Sequence, residues 1–387
     1  MTVPSVNWNY PTAIKAGPGR IKELPDWCRE LGMARPLLVT DPGLAALPMI
    51  ADAVRGCRQA GLECGLFHEV KGNPTGRNVD DGVARYREGR HDGVIAFGGG
   101  SALDAAKAIA LMAGQKRPLW DFEDVGDNYL RVNVAGMAPV VAVPTTAGTG
   151  SEVGRASVIT DEAAQVKRII FHARMLPAIV ILDPELTVGL PPRITAATGM
   201  DALSHNLEAY CSPFFHPMAA GIALEGMRMI KEYLPRAVAD GADLQARQQM
   251  LVTSSMGATA FQRGLGAMHA LAHPLGALYD AHHGMLNAIL MPYVLKANQH
   301  AVAPRLQALA RYLALPDDGP GAVLDWVLGL RETVGIPHTL ADIGIDDAQA
   351  ERVGRMASED PSGGTNPVAY TPDQYAELFR AAVRGIL

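Results

Sequence analysis

Gly93-Val94-Ile95-Ala96-Phe97-Gly98-Gly99-Gly100-Ser101-Ala102-Leu103-Asp104 holds the transition on which the fold turns. Val94 to Phe97 is a short, wholly apolar run, the pattern of a strand buried on both faces. Gly98 to Ser101 reads as a turn, and Ala102 to Met112 carries helical spacing. A buried strand that passes through glycines into a helix is the repeating unit of a parallel α/β sheet.

Similar units lie on both sides of this stretch. Pro36 to Thr40 is an apolar run ending in Asp41-Pro42-Gly43, followed by helical periodicity from Leu44 to Ala60. A strand from Glu63 to Phe67 precedes a helix over about Arg77 to Arg90, and Pro139 to Val143 is a further buried strand. Arg155 to Thr160 and Lys167 to Phe171 read as an antiparallel pair around Asp161-Glu162, and Ile179 to Asp183 closes the strand series. After Pro191-Pro192 the texture changes. Apolar residues recur at spacings of three and four, which predicts helices near 193–211, 217–238, 242–264, 266–279, 283–298 and 301–313, with more beyond. The expected architecture is an α/β domain over 1–187, a parallel sheet with flanking helices, and an all-helical domain over 188–387, divided near 184–192.

Composition narrows the function. The chain has 387 residues, of which 48% are hydrophobic and 19% charged, enough for two ordinary cores. A net charge of −6 argues against nucleic acid or an anionic membrane as the main partner. No apolar run approaches the roughly 20 residues that span a bilayer. Met1 to Pro11 lacks the pattern of a signal peptide, and Cys28, Cys57, Cys64 and Cys211 lack CxxC spacing, so the expected setting is the reducing cytoplasm.

Two constellations carry chemistry. In the first half, Gly98, Gly99, Gly100 and Ser101 let backbone approach a phosphate at a helix N-terminus. Taken alone they are equally a plain tight turn, since they form neither GxGxxG nor a Walker loop. Thr145, Thr146, Thr149 and Ser151 add a second loop rich in hydroxyls and amides after a neighbouring strand. Asp41 ends an earlier strand, where a carboxylate accepts from a ribose 2′-OH and repels a 2′-phosphate; its other reading is a turn or cap residue. In the second half, four of the eleven histidines (His269, His273, His282, His283) fall within fifteen residues. Asp201 and His205 are spaced i,i+4, as are His269 and His273, so each pair leaves one helix face. A lone histidine on an apolar helix is usually a packed core residue. A carboxylate with several clustered imidazoles is instead a site for Fe²⁺, Zn²⁺ or Mn²⁺. His282, His216 and His300 read as packing or surface residues.

From Tyr10 to past Asn298 these motifs resemble the iron-containing (group III) alcohol dehydrogenases. The resemblance rests on Gly98 to Asp104, Pro144 to Glu152, Leu182 to Thr187, Gly199-Met200-Asp201-Ala202, His269 to Gly276 and His282-His283-Gly284. It implies a dinucleotide-binding domain, a helical metal domain and an active site in the cleft between them. It implies that Asp201, His205, His269 and His283 hold the metal, Fe²⁺ first and Zn²⁺ as an alternative, and that His273 is a further active-site histidine outside the ligand set. Asp41, Asn73, Gly98, Gly99, Gly100, Ser101, Thr145, Thr146, Thr149 and Lys167 match positions lining the NAD site. A homodimer is implied as well. With no ligand position missing, the chain differs from metal-free relatives such as the maleylacetate reductases.

The expected reaction is hydride transfer between NAD(H) and a small primary alcohol or aldehyde, the metal acting as Lewis acid and His273 relaying the proton. Glu152-Val153-Gly154-Arg155 with Phe171-His172 and Met175-Leu176-Pro177 resembles the 4-hydroxybutyrate dehydrogenase branch. On that reading Arg155 or His172 would bind a remote carboxylate; the plainer alternative pairs Arg155 with an acid such as Glu152. The competing class is a dehydroquinate-synthase-like lyase using NAD and a metal on a sugar acid. Such an enzyme should converge Lys or Arg on its metal, and 199–210 and 266–284 contain neither.

Overall fold

The computed structural model describes Tyr10 and residues 12–387. Of the N-terminal stretch read for a signal pattern, Met1 to Asn9 and Pro11 lie outside the described residues. The first half of the chain runs β1 (Ala13–Ala16), α1 (Leu24–Glu30), β2 (Pro36–Val39), α2 (Pro42–Ala45), α3 (Pro48–Gln59), β3 (Gly65–Phe67), α4 (Gly76–Glu88), β4 (Gly93–Gly98), α5 (Gly100–Met112), β5 (Val140–Pro144), β6 (Ala156–Asp161), β7 (Val166–Phe171) and β8 (Ile179–Leu182). Six of these strands form one parallel sheet in the order β1-β8-β5-β4-β2-β3. The second half is helical: α6 (Pro192–Cys211), α7 (Pro217–Ala239), α8 (Leu244–Ala260), α9 (Ala267–Tyr279), α10 (His283–Tyr312), α11 (Ala322–Thr333), α12 (Ala350–Glu359) and α13 (Pro372–Arg384). Two compact units result. Leu190–Leu387 with Ala147–Thr149 and Tyr10 makes one, and residues 12–146 with Gly150–Gly189 make the other.

The apolar runs explain the sheet. Val94, Ile95, Ala96 and Phe97 are fully buried, as are Leu37, Leu38 and Val39 in β2 and Val141, Ala142 and Val143 in β5. Burying each large side chain stabilises the fold by about 1.5–3 kcal/mol, and a strand apolar on both faces gains on both. Gly98 then turns the chain with φ of 150°, and a Cβ there would lie 2.7 Å from that of Ala102. Only glycine lets β4 enter α5 so abruptly. The antiparallel pair forms separately, with Ala156 opposite Phe171 and Asp161 opposite Val166.

Some boundaries differ from the sequence reading. The helix expected over Leu44 to Ala60 is two pieces. Pro48 opens the second after an extended Leu47, because proline supplies no N–H to continue the first. The helices expected at 283–298 and 301–313 are the two arms of α10, which leaves helical geometry at Val302, two residues before Pro304. The strand β1 was not expected: Ala-Ile-Lys-Ala is too short and mixed to show a pattern, and Ile14 is exposed.

In the helical unit α6 is the central element, with every residue from Thr195 to Cys211 buried. A helix buried on all sides is apolar all round except where its polar groups meet specific partners, which directs attention to Asp201, His205 and Glu208. Among the described residues no helix is long and apolar enough to cross a membrane.

Candidate functional site

Three elements of the helical unit bring the polar cluster together. α6 supplies Asp201 and His205 from one face, one turn apart; α9 supplies His269; and α10 begins with His283. Ligand-type atoms of Asp201, His205 and His269 all lie within 4.8 Å of one another. His283 Nε2 is 3.8 Å from Asp201 Oδ1. His205 and His269 stack with ring centroids 4.7 Å apart, and His273 and His283 stack at 5.5 Å. A Cβ on Gly284 would sit 2.6 Å from the Ala197 carbonyl oxygen, so the glycine after His283 is what lets α10 start this close to α6.

Asn287, one turn beyond His283, marks where the lone pairs meet. Its Nδ2 lies 2.8 Å from Asp201 Oδ1, 3.2 Å from His269 Nε2 and 3.1 Å from His283 Nε2. An amide nitrogen has two hydrogens, yet three acceptor atoms converge on it. Its own Oδ1 is buried and finds no hydrogen-bond partner among the described residues, and the same holds for His205 Nδ1.

Carboxylates stand behind two of the histidines. Glu208 Oε2 is 2.7 Å from His269 Nδ1, and Asp360 Oδ2 is 2.8 Å from His273 Nδ1. Burial opposes charge on His269, but the hydrogen bond and charge of Glu208 outweigh it and raise its pKa. His205 is fully enclosed, and burial pushes it down to about 4 against the pull of Asp201, so its imidazole is neutral at pH 7. Asp360 is held below the usual carboxylate range: burial would raise it, but the charge and hydrogen bond of His273 prevail.

The nucleotide candidates fall into groups within the α/β unit. β2, β4 and β5 are neighbours, so Asp41, the Gly98–Ser101 turn and Thr145 with Thr146 follow the carboxyl ends of adjacent strands, where ligands of open α/β sheets bind. Thr145 N donates to Gly98 O at 2.9 Å, and a Cβ on Gly99 would be 3.3 Å from Thr146 Oγ1. Asp41 caps α2, its Oδ1 accepting from Leu44 N at 2.9 Å, while a Cβ on Gly98 would be 3.7 Å from its Oδ2. Asn73, in the left-handed region at φ of 53°, and Lys167 form a second pair, Lys167 Nζ donating to Asn73 Oδ1 at 2.8 Å. Thr149 groups with the helical unit.

Two matching family models cover most of the chain, one described as iron-containing alcohol dehydrogenase over residues 11–184 and one as the C-terminal part of the Fe-containing alcohol dehydrogenase family over 195–383. The chain belongs to the iron-containing alcohol dehydrogenase family. A 4-hydroxybutyrate dehydrogenase of Cupriavidus necator is 38% identical over 386 residues, 97% of this chain and 99% of that one. A solved 1,3-propanediol oxidoreductase superposes with TM-score 0.93 at 35% identity, covering 98% of this chain and 100% of that one. A sulfoacetaldehyde reductase from Bifidobacterium kashiwanohense, solved in complex with NAD⁺, gives TM-score 0.87 at 29% identity, with coverage of 98% and 99%. The family membership makes the chain an alcohol dehydrogenase and sets the lyase reading aside.

The residues fit the iron that gives the alcohol dehydrogenase family its name. One carboxylate oxygen and several imidazole nitrogens suit a divalent first-row ion, and those of Asp201, His269 and His283 already converge at Asn287 Nδ2. Three nearby residues escaped the sequence reading. Glu208 is seven positions after Asp201 and Asn287 four after His283, spacings that place each on the face of its neighbour; Asp360 is 87 residues from His273 and has no such signal. His282 caps α10 and His216 caps α7.

Neither candidate carboxylate anchor stands clear. The Arg155 guanidinium carbon lies 5.6 Å from the centre of the Phe171 ring, with Asp124 within electrostatic reach. His172 Nδ1 accepts from Arg174 N at 3.1 Å, and burial followed by the charge of Arg174 lowers its pKa, which keeps it neutral and unsuited to a carboxylate.

Proposed function

We propose that this dehydrogenase is an NAD-preferring, iron-loaded enzyme of small primary alcohols and aldehydes, with an ω-hydroxy acid such as 4-hydroxybutyrate as its favoured substrate. The observation that carries the reading is the convergence of Asp201, His269 and His283 on one point beside His205. When bound, the metal supplies a Lewis acid for the substrate oxygen, and NAD supplies the hydride acceptor. Asp201, His205, His269 and His283 are the residues that would hold the ion. Burial keeps His205 a neutral ligand, and Glu208 occupies the far nitrogen of His269. His273 receives or returns the substrate proton, its Nδ1 held by Asp360 and its second ring nitrogen left for exchange.

On the nucleotide side, the reading assigns Asp41 to the adenosine ribose, where its charge repels a 2′-phosphate. Gly98 to Ser101 offer the free N–H groups of the α5 N-terminus to the phosphates. Thr145, Thr146, Thr149, Asn73 and Lys167 complete the NAD site. The substrate preference is supported by the similarity to the Cupriavidus necator enzyme. Cys28, Cys57, Cys64 and Cys211 are all unbridged, which supports a cytoplasmic setting. Among the described residues β1 is an edge strand of the sheet with Ile14 exposed, which supports a homodimer through that edge.

The test is anaerobic reconstitution. Chelated protein should not turn over 4-hydroxybutyrate with NAD⁺, Fe²⁺ should restore turnover, and Zn²⁺ should compete. Full activity of the chelated sample would overturn the metal assignment. Comparing 4-hydroxybutyrate with 1-butanol in wild type and Arg155→Ala checks the substrate. A preference that survives loss of the arginine excludes it as anchor, and no preference returns the enzyme to simple alcohols.

A further inference from the structure

Glu208 has more buried contacts than a helix residue needs. Its side chain is 4% exposed. Oε2 lies 2.7 Å from His269 Nδ1 and accepts from Gly266 N at 2.8 Å, while Oε1 accepts from Met268 N at 2.7 Å. We propose that Glu208 is a positioning residue of the metal centre, fixing both the tautomer of His269 and the seat of α9 so that Nε2 faces the ion. The proposal rests on the reading that Asp201, His205, His269 and His283 hold a divalent metal.

The chemistry of the pair is restrictive. A carboxylate only accepts hydrogen bonds, so the hydrogen of the His269 ring must sit on Nδ1 and the lone pair on Nε2. Nε2 is the atom that lies 3.2 Å from Asn287 Nδ2, where the lone pairs converge. A negative acceptor behind an imidazole also raises its basicity towards a metal. The same carboxylate takes two N–H groups at the start of α9, which have no partner within the helix. Ring and backbone of one element are therefore held by one group, and that group stands on α6, the helix of Asp201 and His205. Sliding or turning α9 would break all three bonds together.

A plain capping role is the alternative, and Asn366 separates the two. Its Oδ1 accepts from Ala267 N at 3.1 Å, so it caps the same turn from another direction. The experiment measures Zn²⁺ affinity of the full-length apo-protein by chelator competition, with melting temperature alongside. Glu208→Gln keeps one oxygen for His269 but turns an amide donor towards a backbone donor. It should bind Zn²⁺ about tenfold more weakly, and Glu208→Ala about a hundredfold more weakly, the range seen when such a partner is removed. Asn366→Ala should lower the melting temperature and leave the affinity at the wild-type level. Wild-type affinity in Glu208→Gln, or an equal loss in Asn366→Ala, overturns the proposal. A wild-type chain that takes up no stoichiometric Zn²⁺ would instead overturn the ligand assignment beneath it. Should both Glu208 variants fail to fold, the ¹⁵N spectrum of the histidine rings in the unmutated apo-protein decides: His269 must carry a hydrogen on Nδ1, and a ring whose sole hydrogen is on Nε2 refutes the role.

Discussion

Asp41, Gly98 and Thr146 in the α/β unit, like Asp201, His269 and His283 in the helical unit, come together from distant parts of the chain, but by different means. In the α/β unit, strand pairing does the work. Once β2, β4 and β5 are in register, their following loops arrive side by side, and what they present is backbone: a turn at positive φ and the N-terminus of α5. In the helical unit nothing in the backbone pattern fixes a side chain to the required accuracy. There, carboxylates and an amide hold the rings one by one, Glu208 behind His269, Asp360 behind His273 and Asn287 among three acceptors. A site made of backbone tolerates side-chain changes around it, whereas a site made of buried side chains fails when one is removed.

That contrast can be broken by substitution. His269→Ala should cost the most, at least about 10³-fold in turnover with loss of metal, since a Lewis acid supplies several kcal/mol and each 1.36 kcal/mol is tenfold; metal analysis and NADH formation check it. His273→Ala should lower kcat by about 10²-fold, change its pH profile and leave metal content intact. Loss of metal would instead make His273 a ligand. In the α/β unit Gly98→Ala must place a Cβ 2.7 Å from that of Ala102 at φ of 150°. About 1–3 kcal/mol of strain should appear as weaker NADH binding and a lower melting temperature, with metal content unchanged. Asp41→Gly should be milder, improving NADP(H) use relative to NAD(H) by about fivefold, as expected for removing one charge repulsion of about 1 kcal/mol near solvent. If wild type already uses both cofactors equally, Asp41 does not face the ribose.

The smallest effect concerns acid. Asp360 is depressed in the folded chain, so it stabilises the fold above the ordinary carboxylate value, near 3.9, and that stability is lost as pH falls through the folded value. Urea midpoints of wild type should therefore drop more steeply below about pH 4 than those of Asp360→Asn.

Sequence reading reached these two regions unequally. The runs at Leu37 to Val39, Val94 to Phe97 and Val140 to Val143 announce buried parallel strands because both faces of such strands must be apolar. β1 escapes because an exposed edge strand of four residues needs no such pattern. Periodicity alone ran through Leu47-Pro48, although the proline was visible. In the helical unit, the i,i+4 pairs Asp201/His205 and His269/His273 were legible because one helix fixes their spacing. The same logic reaches Glu208 and Asn287, which share faces with Asp201 and His283. Asp360 lies beyond it, because no periodicity links residues on elements so far apart in the chain.

The position of Asp360 and Asn366 bears on how the protein is made. The last strand of the large sheet ends at Leu182, whereas His273 and the first turn of α9 take partners from 360 and 366. Domains fold in order as the ribosome delivers them. The sheet and the Gly98 turn can therefore form while the second half is still being synthesised, whereas Ala147 to Thr149 and the histidine cluster wait for the helices. A nonsense codon shortly before Asp360 would leave a formed sheet attached to an unfinished helical unit.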